Sequence, residues 1–207
     1  MTRSLMTVAL TGMFALVLAG CDAEVTGAAA GTSRMDVGMR GDDPSGAPSA
    51  TRSTTTRYDL SGGESGSVEV QARVWVETRA GEWVEVTDGA ESGTVDASGS
   101  GGVELLASSE VGATSYQRVR VEFDRVRATM IGGISLGGDL LNGALTVDTG
   151  SDGKIVVERD ISVDARAGGT SHLVLNLNAG EWMGKADTET RAVAEAEFRS
   201  AVAIMTE

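Results

Sequence analysis

The stretch SVEVQARVWVET, residues 67–78, decides the fold. Val68, Val70, Ala72, Val74 and Val76 fall on one parity, and Glu69, Gln71, Arg73, Trp75 and Glu77 fall on the other. A period of two over this length is a strand with one face buried and one in water. A turn at Ala80-Gly81 leads into EWVEVT, so residues 67 to 87 read as a hairpin.

The same pattern recurs on both sides. Upstream, SRMDVGMR alternates Met35, Val37 and Met39 with polar or small residues and reads as a short strand. Residues 41–66 hold both prolines and a Ser/Thr-rich centre, which predicts a long surface loop. Downstream, residues 88–102 read as a Gly/Ser-rich connection followed by the strand VELLAS. In SYQRVRVEFDRVRATM, Val119, Val121 and Phe123 share one parity while Val126, Ala128 and Met130 share the opposite one. Such a switch inside one strand predicts a β-bulge near Asp124-Arg125. GGISLGGDLLNGALTV supplies a glycine-rich loop and a strand, and KIVVERDISVDA and SHLVLNLNA read as strands joined by a hairpin turn at Gly168-Gly169. In the inward row of KIVVERDISVDA, Arg159 is an interruption. The tail TRAVAEAEFRSAVAIM fits either period, and its second half is assigned to a strand.

These segments predict an all-β chain, an antiparallel β-sandwich of about eight or nine strands with long Gly/Ser-rich loops and no intervening helices. Composition agrees: 28 glycines, 2 prolines and 4% aromatic residues, with the apolar content carried mainly by Val, Leu, Ile and Ala. The formal charge of −13 repels phosphate backbones, and no basic cluster offsets it, so no nucleic-acid partner is expected. The low aromatic count argues against a stacking platform for sugars, although Trp75, Trp83 and Trp182 remain candidate surface aromatics.

The chain holds one cysteine, Cys21, in FALVLAGCDAE. Arg3 precedes an apolar run from Leu5 to Leu18, which reads as the n- and h-regions of a secretory signal and is too short to span a bilayer of ~30 Å. Leu18-Ala19-Gly20-Cys21 resembles the lipobox of bacterial lipoproteins. That resemblance implies a signal peptide over residues 1–20 and lipidation of Cys21. Residues 21–32 then form a flexible tether, and residues 33–207 a single sandwich domain in the periplasm or at the cell surface. Acyl chains at ~0.8 kcal/mol per buried methylene give the membrane as one partner. Asp22 resembles an inner-membrane retention signal.

Residues that carry chemistry are sparse. Arg118, Arg120, Arg125 and Arg127 suggest either an anion site or a solvated face paired with Glu122 and Asp124. His172, the only histidine, falls on the polar parity of its strand without a G-x-S-x-G partner. One histidine and one acylated cysteine make zinc a poor prospect. DTGSDGK sets Asp148, Asp152 and Gly153 in partial register with a calcium loop, but Gly150 and Arg159 occupy two ligand positions. Asp42-Asp43 is a weaker candidate for the same ion. The glycine doublets at 132–133 and 137–138 match no nucleotide-binding loop. No cofactor is implied.

The order of RMDVGMRGDDP, GGVELLAS, SYQRVRVEFDRV, GKIVVERDISV, HLVLNLNA and EFRSAVAI resembles a bacterial lipoprotein domain family of unknown function that opens with a strand and a Thr-Asp-Ala-Pro motif. Here Asp42-Asp43-Pro44 stands in place of Asp-Ala-Pro, and Tyr116 and Arg120 supply a Tyr-x-x-x-Arg spacing. The resemblance implies a transthyretin-like or immunoglobulin-like sandwich and brings no catalytic residues. The expectation is a non-enzymatic, lipid-anchored envelope protein whose sandwich serves binding or structural interaction, with an envelope protein or glycan as candidate partner. Its alternatives are an envelope glycan-acting enzyme using a carboxylate pair and a calcium-assisted adhesion module.

Overall fold

The computed structural model describes residues 31–41, 65–97, 102–136 and 139–207. Cys21, the expected signal peptide and tether, and Asp42-Asp43 lie outside the described residues.

The deciding stretch is the strand β2 (Ser65–Thr78), which begins inside the span expected to be loop. Its five inward residues, Val68, Val70, Ala72, Val74 and Val76, are fully buried. Along one edge it pairs with β6 (Ser115–Leu136), and along the other with β3 (Trp83–Glu85) and β4 (Glu91–Asp96). The far edge of β6 is shared by β8 (Ile155–Asp164) and β7 (Asp139–Val147), with β10 (Ala192–Val193) beside β7, giving a seven-stranded sheet. A second sheet of four strands runs in the order β11 (Ala203–Thr206), β9 (Thr170–Asn176), β1 (Thr32–Arg40), β5 (Glu104–Gly112).

The fold is the all-β, sandwich-like arrangement expected from the alternation, with differences in detail. Two pairings, β1 with β9 and β7 with β10, are parallel, so both sheets are mixed. β4 lies in the span expected to be connection; its only large apolar residue is Val95, too little to signal a strand by period. Gly168, at φ +70, does make the expected tight turn, yet β8 and β9 do not form a hairpin: the turn carries the chain from one sheet to the other.

The sheets meet through their inward rows. Met35, Val37 and Met39 of β1 and Leu173 and Leu175 of β9 join the β2 and β6 rows in one buried cluster. Each such side chain contributes about 1.5–3 kcal/mol on full burial. Gly93 on β4 shows how close the layers come, since a Cβ there would lie 2.0 Å from Met39 Cε.

The expected bulge is present. Gln71 pairs with Arg125 and Ala72 with Phe123, which leaves Asp124 without a partner on β2 and lets Val121, Phe123, Val126 and Ala128 all face inward. A second bulge at Gln117 separates Tyr116, buried with its hydroxyl donating to Gly112 O at 2.8 Å, from the outward Arg118. The Tyr116–Arg120 spacing therefore brings no pair together on one face.

The C-terminal region departs most from expectation, since it contains helices. Helix α1 (Ala179–Trp182) and a 3-10 turn (Met183–Lys185) are followed by helix α2 (Glu195–Ala201), and only Ala203–Thr206 extends as the strand assigned to the tail. Phe198 explains the helix: it packs edge-to-face against Phe123 at 5.1 Å and Trp182 at 5.4 Å, an anchor that the alanine-rich helical period delivers with Ala201. Arg159, the interruption in β8, donates to Arg199 O at 2.9 Å and Val202 O at 3.0 Å, so it satisfies carbonyls left open at the end of α2. Among the described residues, no helix is long and apolar enough to cross a membrane.

Candidate binding face

The outer face of the seven-stranded sheet is built by the residues that alternate with the buried valines. Cross-strand register places Trp83, Glu77, Arg118 and Asp160 in one row over β3, β2, β6 and β8. The next row holds Glu85, Trp75, Arg120 and Glu158. Trp75 and Trp83 are thus diagonal partners on adjacent strands, about 7–8 Å apart by sheet geometry. Both are half-buried.

Ion pairs bind these rows together. Arg118 donates from Nε to Glu77 Oε2 at 2.6 Å and from Nη2 to Oε1 at 2.9 Å, and Gln117 Nε2 adds a bond to Oε2 at 3.2 Å. Arg120 Nε lies 2.8 Å from Glu158 Oε1, close enough for an ion pair although the N–H is not aligned as a hydrogen bond. Lys154 pairs with Glu122 at 2.9 Å, Arg125 with Glu69 at 2.8 Å, and Arg73 faces Asp124 at 3.9 Å. Both Arg118 and Arg120 place their guanidinium carbon 5.7 Å from the Trp83 ring centroid, in cation–π range. Trp83 and its neighbours shelter Glu77, which is only 4% exposed despite belonging to the outer face. The Arg118 hydrogen bonds hold the Glu77 carboxyl below its ordinary range, and Glu77 in return raises Arg118.

The arginine row is therefore an ion-paired face, and its partners differ from those expected: Glu77, Glu158 and Glu69 take Arg118, Arg120 and Arg125, while Glu122 and Asp124 serve Lys154 and Arg73. Arg127 is exposed on the same strand. Trp182 is no surface aromatic; it is fully buried, with Nε1 donating to Leu177 O at 3.0 Å. Trp75 and Trp83 are surface aromatics as the sequence suggests, but their pairing depends on the β2–β3 register, which the low aromatic count does not reveal. The signal for Trp75 itself is its parity, shared with Glu69, Gln71 and Glu77.

On the outer face of the other sheet, His172 meets Asp36 and Ser108. These are the residue types of a hydrolase triad in an order that does not work. Asp36 sits in the middle, accepting Ser108 Oγ at 2.6 Å and Arg34 Nε at 2.8 Å on Oδ1, with His172 Nδ1 3.7 Å from Oδ2. A serine is activated by an imidazole that takes its proton, and here the Ser108 proton points at a carboxylate. The bonds from Ser108 and Arg34 pull the Asp36 carboxyl below its ordinary value, which makes it a weaker base still.

Two open grooves carry carboxylates. One of about 430 Å³ is lined by Asp164, Arg166, Thr170, His172 and Glu207, and one of about 450 Å³ by Asp88, Glu91 and Ser108. None of these four acids is buried, whereas a glycosidase sets one carboxyl against apolar surface and keeps the other solvated. At the candidate calcium turn, Asp148 Oδ1 accepts from Gly150 N at 2.8 Å and Ser151 donates to Asp152, so both acids serve the turn itself. Among the described residues, no three His, Cys, Asp or Glu side chains come together as a metal site.

No family model, no curated protein and no solved structure matches this chain.

Proposed function

We propose that this chain is a lipid-anchored protein of the bacterial cell envelope whose sandwich is a non-enzymatic binding module. The observation that carries the binding reading is the Trp75–Trp83 pair on a solvent-facing sheet surface. A large indole on the water side of a central strand is costly to leave in solvent, and tryptophan is the residue most enriched where binding energy concentrates. The ion-paired arginines fix the surface, so little entropy is lost when a partner docks. The anchoring reading rests on Leu18-Ala19-Gly20-Cys21 behind its apolar run.

One experiment tests both halves. The full chain, a Cys21→Ser variant and a Trp75→Val variant are expressed in a bacterial host and compared by intact mass, detergent partitioning and co-sedimentation with insoluble cell-wall material. Acyl mass and detergent partitioning that disappear with Cys21→Ser support the anchor; an unmodified wild type overturns it. Co-sedimentation that Trp75→Val removes supports the binding face, and equal co-sedimentation of the two overturns it.

A further inference from the structure

The charges around Trp75 restrict what can bind there. The cations around Trp75, Arg73, Arg118, Arg120, Arg125 and Lys154, each have a carboxylate close by, the longest separation being 3.9 Å; Arg127, three rows away opposite Glu69, is exposed and has none among the described residues. An anionic ligand seated on Trp75 would have to displace one of these carboxylates and also approach a chain of charge −13. A purely apolar ligand would bury the charged rim without partners, which is costly. What fits is a ligand with a flat C–H face for the indole and a rim of hydroxyls. Such hydroxyls can accept from guanidinium N–H groups and donate to carboxylates without breaking the ion pairs. Arg118, Arg120 and Glu158 have side chains about 40% exposed, at 43%, 41% and 39%, so their polar heads are open to such contacts. They stand on strands spaced about 4.8 Å apart, which places hydrogen-bonding groups beside the ring.

We infer that the Trp75 face takes an uncharged glycan chain, whose sugar rings stack on Trp75 while their hydroxyls engage Arg120 and Glu158. This names the ligand class of the binding face proposed above and rests on that reading. Trp83, with the Arg118 and Arg120 guanidiniums each 5.7 Å from its ring, is a positioning residue that holds them over the strand on which Trp75 stands.

The test uses the full lipidated chain in a sugar-free detergent, titrated with chitohexaose, cellohexaose and, as the anionic probe, hexagalacturonate. The readout is acrylamide quenching of tryptophan fluorescence; Trp182 is fully buried, so the quenchable signal comes from Trp75 and Trp83. The expected result is saturable protection by a neutral hexasaccharide, with Trp75→Val weakening it about tenfold at an unchanged unfolding midpoint. Hexagalacturonate gives no protection. Should Trp75→Val fail to fold, protection of the wild type decides the matter. Protection by hexagalacturonate alone, lost in Trp75→Val, would overturn the ligand class and leave the binding face standing. Absence of protection by every probe, together with cell-wall binding that still depends on Trp75, would do the same. Neutral-sugar binding that Trp75→Val leaves untouched would overturn face and ligand together.

Discussion

Arg118 holds Glu77 with two nitrogens across neighbouring strands, 2.6 and 2.9 Å from the two carboxylate oxygens. The Arg118 bonds, opposed by burial and helped by Gln117, keep the Glu77 carboxyl below its ordinary value of 4.5. A carboxyl depressed by folding contributes stability above its unfolded value, and that contribution is lost as pH falls through the folded one. Glu77→Gln is therefore expected to melt below the wild type at pH 7, with the gap closing as pH drops under 4.5. Melting curves between pH 7 and pH 3 check this; a gap of constant size would mean that the charge contributes nothing. Asp36 and Asp187 are depressed in the same direction but are common to both proteins and cancel.

Gly41 and Gly93 both stand where a side chain would collide, yet they should differ in tolerance. A Cβ on Gly41 would lie 1.9 Å from Asp96 O, a backbone atom held by the β2–β4 ladder. On Gly93 it meets the end of Met39, a flexible side chain that can turn away. Gly41→Ala is expected to cost about 3 kcal/mol or more and Gly93→Ala about 1 kcal/mol. Urea unfolding measures both, and the reverse order would place the rigid contact at Met39.

Deleting Asp124 tests the bulge. Without it, Phe123 and Val126 stand two positions apart, so regular alternation turns both inward rows toward the core and Gln71 and Ala72 face consecutive residues of β6. The deletion variant is expected to keep cooperative unfolding, because it removes the bulge and leaves Val121, Phe123, Val126 and Ala128 on one inward row. Asp124→Ala, which keeps the residue count, should unfold cooperatively within about 1 kcal/mol of the wild type. Loss of cooperative unfolding in the deletion variant would show that the sheet needs the local twist of the bulge and not the alternation alone.

The Asp148 turn should behave as a turn. Asp148→Ala removes the acceptor for Gly150 N and is expected to cost about 1 kcal/mol, equally in millimolar calcium and in chelator. A calcium-dependent rise in the wild-type midpoint that Asp148→Ala removes would revive the ion site.

How much of this was legible follows from how each feature is encoded. β2, β1 and both halves of β6 show themselves because one face is buried and the other wet, so period alone reveals them, and the bulge at Asp124 shows as a change of phase. β4 is hidden because its contribution is space: Gly93 makes room for Met39, and a glycine has no hydropathy to read. α2 is hidden because AEAEFRSAVA satisfies both periods; packing of Phe198 between Phe123 and Trp182 settles the choice, and those partners lie far away in sequence. The same holds for the face. The polar parity of Trp75 is local information, but its position beside Trp83, Arg118 and Arg120 depends on strand order.

The parallel seating of β1 against β9 sets an order of assembly. Ser33 Oγ donates to Gly169 O across 136 residues, so the first described strand stays open on one edge until the last quarter of the chain arrives. Loops that long close slowly, and folding rates fall as contacts become more distant in sequence. A chain threaded N-terminus first through a translocation pore must not fold before it has crossed. Here the four-stranded sheet cannot close around β1 until β9 has been made, so for the exported protein proposed above the topology doubles as a timer.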